Sequence, residues 1–398
     1  MLRKKLIVGL IICLLATPAL AKKKILPSEQ AVFHNNQGIN YLNKQDLERA
    51  LFEFQSAIEL APQFAAPYNN IGIIYKIQGE YPKAIEYFQL AIKQDKKYAA
   101  PYNHLAAVQL ALGDLQAALA MAQKAVKKDP LLADARYNLG IVYYELHRSD
   151  PKLKKYRTKA EEAFKKATVL NPNLFAVHLR LAEMYTEDKK YDLAVVRYRL
   201  ALNVTNDPDT WQALGHLYQL MGDPFKAQNC FQQAAALDPL ADEAFVEIGI
   251  FYVRQKYLQE AREAFAQAIN VNPKNEKAHL HLGSIDLEEK NLEEAVEHFQ
   301  KAKAVNPNEP EAPYNLGVTY LEMGSTEKAR KEWEYVLKIA PSYPRALYNL
   351  GLLSGKEGKK KESAQYYCDF LKAAKGDFPT KEELVEKILE DEGIRCPH

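Results

Sequence analysis

The chain has 398 residues, 47% hydrophobic and 26% charged, with 53 Lys and Arg against 51 Asp and Glu. That apolar fraction is enough to bury a core, and the near-balance of charge excludes the broad basic footprint of a nucleic-acid binder. Four cysteines, none in a C-x-x-C pair, signal neither a zinc cluster nor a dithiol redox site.

In chain order, residues 1–21 read as an export signal. Arg3, Lys4 and Lys5 precede an apolar run from Leu6 to Ala16, and Pro18 leads into the small-x-small sequence Ala19-Leu20-Ala21. The run is shorter than the roughly 20 apolar residues of a membrane span, so cleavage after Ala21 is expected. The alternative is retention as an N-terminal inner-membrane anchor. Ile12, before Cys13, is too bulky for a lipobox, so lipidation is not expected. Residues 1–21 carry three basic and no acidic side chains, so the mature chain is close to neutral. Of its cysteines, Cys368 and Cys396 could pair in an exported protein and pin the C-terminal tail; the alternative is two separate thiols.

A 34-residue beat dominates the rest. Gly215, Gly249, Gly283, Gly317 and Gly351 keep it, as do Pro239, Pro273, Pro307 and Pro341, and Ala227, Ala261, Ala295 and Ala329. Residues 242–275 show its content. Phe245, Ile248, Gly249 and Tyr252 make one face of a first helix, and Ala261, Phe265 and Ala268 the facing stripe of a second. Pro273 ends the second helix by pushing Asn272 out of helical geometry. Such a hairpin cannot bury both faces alone, so neighbours must stack.

Trp211, Leu214, Gly215, Tyr218, Ala227, Phe231, Ala234 and Pro239 carry every position of a known pattern, and through them the chain resembles the tetratricopeptide-repeat family. The resemblance implies an all-α, right-handed superhelix, an α-solenoid of about ten helix-turn-helix repeats, with copies at 31–64, 65–98, 99–132, 133–174, 175–207, 208–241, 242–275, 276–309, 310–343 and 344–377. The third copy has Ala106, Gln109 and Ala122 for Gly, Tyr and Phe, so a thinner core is expected there; the tenth has Ser354 and Ser363 for Tyr and Ala. Residues 378–398 form a capping segment. Thr380-Lys381-Glu382-Glu383 reads as a capping box opening a helix to about Glu392, with Leu384, Val385, Ile388 and Leu389 as its apolar stripe. The fourth copy is eight residues longer than the beat. With Asp150 as N-cap and Pro151 in the first turn, the extra length is expected to extend the second helix at its start. Its basic residues Lys152, Lys154, Lys155 and Arg157 are either a solvated extension or a docking knob for an acidic partner or anionic lipid headgroups, a route to peripheral membrane association.

By the same resemblance, positions 2, 5, 6, 9, 12 and 13 of each repeat face a concave groove. Position 6 reads Asn36, Asn70, His104, Asn138, Arg180, Ala213, Glu247, His281, Asn315 and Asn349, and position 5 contributes Asn35, Asn69 and Asn103. An amide both donates and accepts, so such a row can hold the main chain of an extended peptide, as in the asparagine ladder of O-linked N-acetylglucosamine transferases. Across repeats five to eight Arg180, Glu183, Glu187, Glu247, Arg254 and Glu288 replace it with charge. No repeat has a basic residue at position 5, so the carboxylate clamp of chaperone-binding members is not expected.

No nucleophile elbow, H-E-x-x-H, dinucleotide fingerprint or P-loop occurs, and His279 and His281 point to different helix faces, so neither catalysis, cofactor nor metal is expected. The resemblance and the signal together imply an exported, periplasmic or secreted scaffold that binds proteins or peptides and no nucleic acid, in pilus, secretion or surface-polymer assembly. A self-assembling structural protein is the alternative. Neither partner identity nor oligomeric state is written in the sequence.

Overall fold

A computed structural model describes residues 26–396. The export signal and Cys13 lie outside the described residues. Among those described there are twenty-one α-helices and no strand. The chain divides into two compact units at Val177/His178, inside the stretch the repeat pattern treats as one array.

In the first unit, α1 (Glu29–Asn43) pairs with α2 (Leu47–Leu60), α3 (Ala65–Ile77) with α4 (Tyr81–Gln94), α5 (Ala99–Ala111) with α6 (Leu115–Lys128), and α7 (Ala133–Ser149) with α8 (Lys154–Leu170). The division point falls in α9 (Phe175–Glu187), and α10 (Tyr191–Val204) follows. In the second unit, α11 (Pro208–Leu220) pairs with α12 (Pro224–Leu237), α13 (Asp242–Arg254) with α14 (Leu258–Val271), α15 (Glu276–Glu288) with α16 (Leu292–Val305), α17 (Glu311–Glu322) with α18 (Thr326–Ile339), and α19 (Pro344–Lys356) with α20 (Lys360–Ala374). The last helix, α21 (Pro379–Asp391), packs on α20.

Two local devices recur among the hairpins. The first is a small residue under a ring: a Cβ added to Gly249 would lie 2.5 Å from Phe265 Cε1, and Phe265 is fully buried. Burying that ring contributes about 2–3 kcal/mol, which any side chain at 249 would forfeit in part by displacing it. In the third repeat the ring is missing at Ala122, and Ala106 replaces the glycine; both are fully buried. The core there is rebuilt around smaller groups, with Met121 packed against Leu105 and Val108.

The second device is a left-handed residue after the first helix. Gly79, Gly113, Gly222, Gly324 and Gly358 take it at φ between 72° and 79°, whereas Gln45, Lys189, Lys256 and Lys290 take it at φ 61°, 57°, 63° and 65°. Only glycine enters this region without a steric penalty, about 1 kcal/mol for other residues.

The fourth repeat departs from the sequence expectation. Its extra length is shared between both helices: α7 and α8 have 17 residues each, against 13 and 14 in α3 and α4. Asp150 is the C-cap of α7 and not the N-cap of α8; its carboxylate accepts from Lys152 N at 3.0 Å, and Leu153 precedes α8. The first helix runs on through the place where other repeats turn left-handed. Both arms of the hairpin therefore lengthen by about one turn.

The cap also forms differently. Its N-cap is Phe378, without a side-chain cap, and the reciprocal bonds come from Glu382, whose carboxylate accepts from Phe378 N at 2.9 Å and Gly376 N at 3.1 Å. Thr380 and Glu383 do not make the expected box, because Pro379 already occupies the first turn. Val385 and Leu389 are buried against Leu347, Tyr367 and Phe370, and Ile388 packs beside them, but Leu384 is exposed. Cys368 and Cys396 form a disulfide with Cα atoms 5.3 Å apart, fastening the chain after α21 back onto α20.

Candidate functional site

The first helices of the first unit carry the amide row. Asn70 Nδ2 donates to Asn35 Oδ1 at 3.0 Å, and Asn138 Nδ2 donates to Asn103 Oδ1 at 2.8 Å. Both bonds span 35 residues, so position 5 of one repeat accepts from position 6 of the next. Asn35, Asn70 and Asn103 are buried. This corrects the picture of a free ladder: the amides first fasten neighbouring repeats to one another, each bond contributing about 1 kcal/mol. Asn36 remains exposed.

The relay breaks once. Asn69 is 3% exposed and donates its Nδ2 to Asn70 Oδ1 at 3.3 Å, but its own Oδ1 has no partner. The residue 35 positions on is His104, which stacks on Phe88 with ring centroids 5.3 Å apart instead of reaching back. Burial, with a smaller contribution from the charge of Lys76, lowers the His104 imidazole to about 4. It is neutral at pH 7.

In the second unit the corresponding row is mixed. Asn349 Nδ2 donates to the Tyr314 hydroxyl at 3.4 Å, and Gln219 Nε2 donates to Glu247 at 2.7 Å. Arg180 pairs with Glu183 at 2.7 Å, Arg254 is exposed, and Asn315 is half-buried.

Repeats here are fastened by ion pairs instead. Arg262 reaches from α14 to Asp286 at 2.7 Å and Glu289 at 2.6 Å; Asp286 is 1% exposed. Arg330 reaches from α18 to Glu357 at 2.7 Å, Glu362 at 3.0 Å and Ser354 Oγ at 3.2 Å. Sequence reasoning missed these. A signal was present: both arginines occupy position 21, and in each following repeat the usual tyrosine at position 11 gives way to Asp286 or Ser354.

The basic extension is anchored by aromatic faces. Lys155 lies 5.1 Å over Tyr156, Lys159 lies 5.5 Å over Tyr143, and Arg157 lies 5.5 Å over Tyr144. Lys152, Lys154 and Lys155 are exposed. Among the described residues no three His, Cys, Asp or Glu side chains gather to hold a metal ion, and no helix is long and apolar enough to cross a membrane.

Comparison with known proteins agrees on the fold. Tetratricopeptide-repeat profiles match residues 31–64, 63–130, 208–241, 242–275, 283–324 and 314–378. No curated protein matches the sequence. Among solved structures, pilF of Pseudomonas aeruginosa is 21% identical, covering 57% of this chain and 98% of its own at a TM-score of 0.47. Yeast Tom70 is 13% identical, covering 92% and 96% at 0.45, and a thermophilic TPR protein of Thermus thermophilus is 24% identical, covering 48% and 99% at 0.40. With its repeats matched over more than half of its length, the chain belongs to the tetratricopeptide-repeat family.

Proposed function

We propose that the protein is an exported, non-catalytic scaffold that holds protein partners along its first helices and serves cell-envelope assembly, in pilus, secretion or surface-polymer machinery. The observation that carries this reading is the amide row of the first helices, fastened by Asn70–Asn35 and Asn138–Asn103 with Asn36 left exposed beside it. An exposed amide both donates and accepts, so it can pair with the main chain of a bound polypeptide. Export is supported by the signal at residues 1–21 and by the Cys368–Cys396 disulfide, a bond that persists in oxidising compartments.

The test separates function from folding. Replacing exposed Asn36 by Ala should leave stability to urea within about 0.5 kcal/mol while capture of the envelope partner falls. Capture unchanged in Asn36→Ala would remove the basis of the reading. N-terminal sequencing of the envelope-fraction protein should begin at Lys22.

A further inference from the structure

The second unit holds a cavity of about 750 Å3 between α10, α11 and α12. It is of the size of pockets that take small ligands or peptide side chains, roughly 300–1,000 Å3. From α11 it is lined by Trp211, Leu214 and Tyr218, at repeat positions 4, 7 and 11. None of these is a position assigned to the groove, so the cavity belongs to a different helix face.

Its chemistry is one-sided. Arg199 and Lys226 line it, and no carboxylate does. Lys226 is held by Asp223 at 2.5 Å. Arg199 is exposed, donates to the Tyr218 hydroxyl at 2.9 Å, and has no ion pair among the described residues. Arg199 therefore brings a positive charge to the cavity with no counter-ion of its own. Trp211 is fixed as a wall because its Nε1 donates to Asn206 Oδ1 at 2.7 Å. Phe225, which also lines it, is 67% exposed, its ring edge-on to Phe251 at 5.6 Å. Asn203, Asn206 and Asn229 add amides that both donate and accept.

We propose that this cavity is a second binding site, which takes an acidic segment of a partner polypeptide with an aromatic side chain between its carboxylates. The ring packs between Trp211 and Phe225, a carboxylate meets Arg199 and Lys226, and the asparagines serve the main chain. Cys230 lines the cavity as a built-in reporter. It is buried, and burial pushes its thiol up to about 11, so it reacts slowly and more slowly still when covered.

Calorimetry on the whole protein with acetyl-Asp-Phe-Asp-amide, whose blocked ends leave only side-chain charge, tests this directly. Acetyl-Asn-Phe-Asn-amide should bind about tenfold weaker, and Arg199→Gln, which can still bond Tyr218, should weaken the acidic peptide by about the same factor. The acidic peptide should also slow modification of Cys230 by dithiodipyridine, located by peptide mass mapping. Equal affinity for the two peptides, full affinity in Arg199→Gln, or an unprotected Cys230 would overturn the assignment. Tighter binding of trigalacturonate than of the peptide would overturn the polypeptide part of it.

Discussion

The two units join successive repeats by different means. In the first, neutral amides bridge positions 5 and 6, as between Asn35 and Asn70. In the second, Arg262 and Arg330 bridge position 21 to positions 11 and 14 of the following repeat. The same hairpin therefore tolerates two seams, because a stack needs only that each repeat satisfy its neighbour. The seams differ in what they leave exposed to pH and to substitution. An amide bond contributes about 1 kcal/mol and is indifferent to pH, whereas a buried charge left alone costs about 3–5 kcal/mol.

The largest effect is expected at the charged seam. Arg262→Ala leaves Asp286, at 1% exposure, without its guanidinium. Urea unfolding should show about 3–5 kcal/mol lost, and Asp286→Asn in the same chain should restore part of it. Additive losses would mean that the seam is not a coupled pair.

Next comes acid. The His104 pKa of about 4 lies below the 6.5 of an unfolded histidine, so the native state binds fewer protons. Its contribution is complete above pH 6.5 and is lost as pH falls from 6.5 toward 4, up to about 3 kcal/mol in all. Denaturation midpoints across that range should show the slope, and His104→Asn should flatten it. The smallest effect sharpens the seam rule itself: at neutral pH the new amide stands 35 residues after Asn69 and can complete the relay, as at the other two asparagine pairs. The net change there should stay within about 1 kcal/mol.

How far the sequence could be read follows the same division. The hairpins were legible because glycine, alanine, ring and proline recur at fixed offsets, and each marks a contact internal to one repeat, such as Gly249 under Phe265. The seams were less so. Asn36, Asn70 and Asn138 read as an open ladder, but whether an amide faces solvent or its neighbour depends on the packing of two helices and not on its repeat position. The Asp150-Pro151 pair was read as opening the second helix but closes the first, since Asp-Pro suits either side of a turn, and the cap helix begins one residue before Thr380, so Glu382 and not Glu383 makes the reciprocal bonds. Arg330 needed two repeats read together, its own and the one in which Ser354 replaces tyrosine.

The claim that first helices carry partner binding is tested most directly by site-specific photocrosslinking in the native envelope. A benzophenone side chain at Asn36 or Arg254, both exposed on first helices, should join the protein to a discrete polypeptide. The same group at Val169, 80% exposed on the second helix α8, should not. Crosslinks from Val169 alone, with none from Asn36 or Arg254, would contradict the account.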